Sequence, residues 1–277
     1  MTVAFVLSGG ASLGAIQVGM LAALEDAGIA PDLVVGTSVG ALNGSWVASG
    51  RPVRGLADVW CSLERSDLFP LDPLVGLRGF TGRSTHFISD RGVRSVLRQH
   101  LGFERLEDAP LPFRVVACDA RSGDEVVLQR GSAVEAILAS SALPGIYPPV
   151  SIDGRLLIDG GIVNNTPISL AVQAGATDVW VLSTGYACGL PSAPTGAINM
   201  ALHAVGLLVQ QRLANEVSNR RYPVPVHLVP PPCPVDATAT DFSRTGELIE
   251  RAHRGTAQWL ANGRPNAMPL HPHHQTY

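Results

Sequence analysis

The sequence predicts an α/β fold: a three-layer α/β/α arrangement on a mostly parallel central sheet. Three observations predict it. Short β-branched and apolar runs (Val3 to Leu7, Asp32 to Val35, Phe113 to Cys118 and Asp178 to Ser183) alternate with segments of helical period. The first run stops at Ser8-Gly9-Gly10, as a strand buried on both faces does before a tight loop. The chain has 277 residues, 46% of them hydrophobic, which is enough to bury a large core.

The elements follow in order. After the first strand, Leu13, Ile16, Met20, Leu21 and Leu24 fall at helical spacing, and Gly28 is placed to end that helix before Pro31. Asp32 to Val35 is a second strand, and Val39 to Ser49 carries small helix-compatible residues. Ser66 to Asp90 has no period and reads as a long apolar loop. Glu125 to Leu128 and Leu156 to Ile158 read as further strands, with Asp153-Gly154 as a hairpin turn before the latter. Ala133 to Ser140, Ile168 to Ala174, Ile198 to Val217 and Glu247 to Leu260 read as helices, and Val224 to Val229 as a strand. These cues run on without a linker, and the Pro-rich stretch from Pro223 to Pro234 comes too late to divide them. One domain over residues 1–262 is expected, with motifs in about 3–185, a helical part in about 195–262 and a flexible tail at 263–277.

Composition removes several classes of function. Net charge is −3 and no basic block occurs, so the electrostatic footprint of a nucleic-acid binder is missing. All 20 basic residues are Arg, which removes a Ser-Lys dyad, a Schiff-base lysine and a P-loop lysine. Cys61, Cys118, Cys188 and Cys233 form no CxxC pair, and each reads as a reduced thiol. No apolar run approaches the ~20 residues that span a bilayer, so a cytoplasmic protein is expected, with membrane contact confined to its surface. His271, His273 and His274 read as a solvated tail rather than a metal site, and no cofactor or metal is expected.

Gly36-Thr37-Ser38-Val39-Gly40 is a GxSxG directly after a strand and before a helix. In a nucleophile elbow the Ser occupies such a strained turn, and the flanking glycines Gly36 and Gly40 relieve crowding. Gly9-Gly10-Ala11-Ser12-Leu13-Gly14 is a second glycine-rich strand-to-helix loop. A dinucleotide site would want a middle Gly where Ala11 stands and an acidic residue ending the second strand, which ends instead at Val35-Gly36. The alternative is that amides near Gly10 and Ala11 form an oxyanion hole beside Ser38, since adjacent parallel strands deliver both loops to one sheet edge. Asp159-Gly160-Gly161 follows the apolar Leu156 to Ile158; alone, it reads as a turn.

Together these segments, with AIQVGMLAALEDAGI, ASSALPGIYPPV and GRLLIDGGIVNNTP, resemble the patatin-like phospholipase family over roughly residues 3–185. The resemblance implies a patatin-type fold and a serine acyl-ester hydrolase of lipid substrates such as phospholipids or lysophospholipids. It implies a dyad in which Ser38 is the nucleophile and Asp159 the base, with Gly9, Gly10, Ala11 and Gly14 forming the oxyanion loop. The sequence departs from the family at Ala11, where Gly is usual, and at Leu13, where a basic residue is usual. Two other readings stand beside this one. A conventional triad would recruit His203, His227 or His253 as base, and a non-catalytic lipid-binding or regulatory protein would keep the fold alone.

Overall fold

The computed structural model describes residues 1–70, 73–184, 195–196, 200, 203–209, 211–213, 222–235, 238 and 240–264. Among them, eight strands form one sheet in the order β5-β6-β3-β2-β1-β7-β8, with β4 pairing on β3. These are β1 (Val3–Leu7), β2 (Leu33–Thr37), β3 (Phe113–Asp119), β4 (Glu125–Leu128), β5 (Val150–Ile152), β6 (Arg155–Asp159), β7 (Asp178–Leu182) and β8 (Val226–Val229). The five neighbours from β3 to β8 run parallel, and β4, β5 and β6 add antiparallel pairs. β5 and β6 form the expected hairpin, with Asp153 at φ 50° and Gly154 at φ 75°. That is the left-handed pair a two-residue turn of this hand requires.

Period-two alternation splits each central strand between two cores. Phe5, Leu7, Val34, Val115, Ala117, Trp180 and Leu182 pack into one apolar cluster. Ala4, Val6, Leu33, Val35, Val116, Val179 and Val181 pack into the other. Every residue of β2 and β7 is buried, which is why these strands read as unbroken apolar runs. On the first face lie α1 (Gly14–Asp26), α2 (Val39–Ala48), α3 (Val53–Ser62), α4 (Arg65–Leu68), α6 (Arg91–His100) and α7 (Ala133–Ser140), and α5 (Pro73–Phe80) comes between α4 and α6 in the chain. After β6 come α8 (Gly161–Asn164) and α9 (Ile168–Gln173), the latter on the second face. α10 (Thr245–Ala261) closes over α1, where a Cβ at Gly19 would come within 2.1 Å of Ile249 O. Gly28 at φ +69° ends α1 as expected.

The structure differs from the sequence reading in three places. Ser66 to Asp90 is no plain loop, because α4 and α5 form within it. Cys233 is disulfide-bonded, which corrects the expectation of a reduced thiol there, while Cys61 and Cys118 are free. The sequence reading had assigned no helix to α3 or α6. Of the expected helix at 198–217, residues 200, 203–209 and 211–213 are described and helical; its other residues, Cys188 and the tail beyond residue 264 lie outside the described residues. No described helix is long and apolar enough to cross a membrane.

Candidate active site

β1 and β2 are parallel neighbours, so the loops that follow them emerge side by side at the same sheet edge. The first is the Gly9 to Leu13 loop and the second is the turn at Ser38. Ser38 adopts φ 55° and ψ −126°, a left-handed conformation that an L-residue holds only under strain. Close packing of the turn keeps it there. A Cβ at Gly36 would come within 2.4 Å of Gly40 O, and one at Gly40 within 2.2 Å of Leu7 O. Any larger residue at either position would push α2 away from the sheet. The Ser38 amide donates to Ser140 Oγ at 2.8 Å, and Ser140 Oγ donates in turn to Val116 O. α7 therefore pins the turn to β3.

Asp159 ends β6 opposite Ala117, adjacent to the Val116 that faces Thr37 of β2. A Cβ at Gly160 would come within 2.2 Å of Val116 O, so the chain leaves β6 hard against β3 only because residue 160 is Gly. Ser38 Oγ donates to Asp159 Oδ2 at 2.7 Å, within the range for an O–H donor to a carboxylate. Asp159 Oδ1 accepts from the Gly161 amide at 2.7 Å. Asp159 is 2% exposed and Ser38 7%. Burial raises the Asp159 pKa to about 6, against the opposing effect of the Ser38 and Gly161 hydrogen bonds. Its charged form is thus costly but still populated at neutral pH.

The glycine-rich loop packs directly on this pair. A Cβ at Gly9 would stand 3.1 Å from Ser38 Cβ and 2.4 Å from Asn165 Oδ1. One at Gly10 would strike Thr184 Oγ1 at 2.1 Å. The hydroxyl of Thr184 donates to Gly9 O at 2.7 Å, and the Thr184 amide donates to Ser8 Oγ at 3.1 Å. The Gly9 amide donates to Asn165 O, and the Gly14 amide to Ala11 O and Ser12 O. Among the described residues, no backbone acceptor takes the amides of Gly10 and Ala11. Ala11 sits at φ 52°, which explains why Gly suits that position. Leu13 packs partly buried against the core.

Among the described residues, none of the three candidate histidines bonds to this pair. His227 Nε2 lies 2.8 Å from Asp178 Oδ1 at the start of β7, the opposite edge of the sheet from Ser38. His253 Nε2 lies 2.7 Å from Asp26 Oδ2 near the end of α1. Among the described residues, His203 makes no hydrogen bond or ion pair with Ser38 or Asp159. Among the described residues, no three His, Cys, Asp or Glu side chains gather as a metal site.

Ser38 opens into a cavity lined mostly by apolar side chains and partly continuous with solvent. Trp60, Phe69, Tyr147 and Phe242 form a linked aromatic wall, with ring centroids 5.6 to 6.3 Å apart. Sequence reading missed Ser140, Thr184 and Asn165, which hold the two loops, and most of this wall. Ser140 lay inside the family-like ASSALPG text, so the segment was noticed without the role.

The patatin-like phospholipase family model matches residues 5–172. Patatin-like phospholipase domain-containing protein 6 of Mus musculus is 33% identical over 187 residues, covering 66% of this chain and 14% of that protein. An uncharacterized NTE family protein of Mycobacterium bovis is 33% identical over 173 residues, covering 62% of this chain and 46% of that protein. The chain thus spans less than half the length of these two relatives. VipD from Legionella pneumophila shares the fold, with a TM-score of 0.53 at 14% identity, covering 94% of this chain and 67% of that one. On the family match, the chain belongs to the patatin-like phospholipase family.

Proposed function

We propose that the protein is a serine acyl-ester hydrolase of lipid substrates, with Ser38 as nucleophile and Asp159 as its only base. The observation that carries this reading is the 2.7 Å hydrogen bond from buried Ser38 Oγ to Asp159 Oδ2 at the polar end of an apolar cavity. Family membership supports lipid acyl hydrolysis in general terms.

Ser38 Oγ attacks the ester carbonyl carbon while its proton passes to Asp159 Oδ2. The negative oxygen that forms accepts hydrogen bonds from the Gly10 and Ala11 amides, whose donors are preorganised by Thr184 and Asn165. Gly9 and Gly14, with their own amides engaged, serve this loop by close packing. Collapse breaks the carbon–oxygen bond to the alcohol, which leaves with the proton held by Asp159. Water then attacks the acyl-Ser38 ester and gives its proton to Asp159. The free acid departs, and the proton returns to Ser38 Oγ. A carboxylate with its pKa raised to about 6 is a stronger base than an exposed Asp and remains largely ionised at pH 7.

Residues 1–262 act in this reading as one hydrolase unit, since Phe242 lines the cavity and α10 packs on α1. The substrate comes from a lipid surface, so contact with membranes is peripheral. The test is a panel of acyl esters together with labelling by a fluorophosphonate. Hydrolysis and stoichiometric modification at Ser38 are expected. A folded protein that does neither is a lipid-binding relative that has lost catalysis.

A further inference from the structure

The proposed chemistry uses only the polar end of the cavity. Val39, Leu42 and Trp46, at i, i+3 and i+7, present one face of α2 to the space, so α2 is a wall that starts at Ser38. Trp46 lies eight residues beyond Ser38, about 12 Å along the helix axis. Leu56 of α3 and Leu97 and Leu101 at the end of α6 line the same space. Among the described residues, Ser141 Oγ is a buried lining hydroxyl without a hydrogen-bond partner, and most other polar side chains of the lining are engaged. Asn43 donates to Gly14 O and Gln17 Oε1 and accepts from Trp60 Nε1. Ser12 Oγ donates to Thr238 O, and Ser45 Oγ to Leu42 O. Burial and the charge of Arg51 push the His100 pKa down, against its charged form.

The far end is held in place. Trp46 Nε1 donates to Pro52 O at 3.0 Å, and the Arg51 guanidinium lies 3.5 Å from the centroid of the Trp46 ring. Arg51 Nη1 donates to His100 O at 2.7 Å, which ties the end of α2 to the end of α6. Trp46, 6% exposed, is therefore clamped on both its edge and its face.

We propose that this cavity is a length-limited pocket for a single acyl chain, that Trp46 is its stop, and that it selects octanoyl to decanoyl esters over long-chain ones. The proposal rests on the hydrolase reading given above. An apolar pocket takes the part of an ester that has no polar atoms. The alcohol side of a phospholipid or lysophospholipid carries oxygens and charge, whose burial without partners is costly, so it stays at the mouth. Extended from Ser38 along α2, an acyl chain of about eight to ten carbons covers roughly the 12 Å of helix rise that separates Ser38 from Trp46. Because Trp46 is clamped, a longer chain must bend or displace it.

Two measurements on the whole protein test this. In a series of p-nitrophenyl esters from butyrate to palmitate, kcat/KM should rise about threefold to fourfold per methylene up to octanoate or decanoate. Palmitate should then fall about tenfold below the optimum. Calorimetric binding of the free fatty acids should peak at the same length. Trp46→Ala should move both optima to longer chains. Leu42→Phe, one turn from Ser38, should move them to shorter ones, and it supplies the test if Trp46→Ala does not fold. A flat profile, a wild-type preference for palmitate, or optima unmoved in both variants would overturn the stop. Absence of hydrolysis with the binding optimum intact would overturn the hydrolase reading and leave the pocket standing.

Discussion

The polar end of the cavity and its apolar far end are built on different terms. Around Ser38 the parts are short segments whose own residues dictate their shape. Gly36 and Gly40 permit a tight strand-to-helix turn, Gly160 lets β6 end against β3, and a 2.7 Å hydrogen bond joins the two products. The far end is made by Trp46 of α2 together with α3 and α6, whose lining residues Leu56 and Leu97 are ordinary helix apolars carrying no local signature. One region is specified by backbone conformation and hydrogen bonds, the other by long-range packing. They should therefore answer differently to mutation: the first in rate, the second in selectivity.

The largest expected effect separates them outright. Ser38→Ala should remove ester turnover yet keep the fold and fatty-acid binding, because no atom of the far wall depends on the hydroxyl. Turnover in the purified variant would sink the assignment. Gly10→Ala comes next. Its methyl would displace Thr184, which braces the loop, and should lower kcat by about 10² to 10³ with little change in KM. A KM rise at constant kcat would mean that the loop binds substrate and does not stabilise the transition state.

Asp159→Asn tests the cost side of the same site. Native burial raises the carboxyl pKa from 3.8 to about 6, so the folded state holds this proton more tightly than the unfolded chain. Relative to a neutral group, its contribution to stability is lost as pH rises through that window and stays lost above about 6. The variant should accordingly melt several degrees higher than wild type at pH 8, and the gap should close by about pH 4. A lower melting temperature at pH 8 would show that the charge is better solvated than its burial suggests. Ala11→Gly should be the mildest change: it relieves φ 52° and keeps the amide, so activity should stay within about threefold. A loss of more than about tenfold would place a role in the Ala11 methyl group.

How much could be read beforehand follows the same division. The strand ending at Val35-Gly36 and the turn at Ser38 are legible because each needs particular residues at fixed offsets. The hairpin at Asp153-Gly154 is legible for the same reason, whereas the DGG at Asp159 reads alone as a turn and takes its part only through the family resemblance. α6 was missed although Val93, Val96 and Leu97 fall at helical spacing among Arg91, Arg94 and Arg98. Its partner surface is assembled from residues tens of positions away, and Leu68 and Phe69 belong to the aperiodic Ser66 to Asp90 stretch that precedes it. Ser140, Thr184 and Asn165 were invisible as braces, since a serine, a threonine and an asparagine acquire those duties only when β3, β7 and the loops meet.

The central claim is that Asp159 alone takes the proton of Ser38, and single-turnover acylation by an activated ester tests it most directly. Asp159→Asn keeps the shape of the side chain and removes its basicity, so acylation at pH 7.5 should slow by about 10² to 10⁴. In wild type the rate should rise with pH through about 6 and then level, following ionisation of the buried carboxyl. His203→Ala, His227→Ala and His253→Ala should each acylate like wild type, and so should enzyme treated with EDTA. An Asp159→Asn rate within about tenfold of wild type, or a comparable collapse in any one histidine variant, would contradict the account.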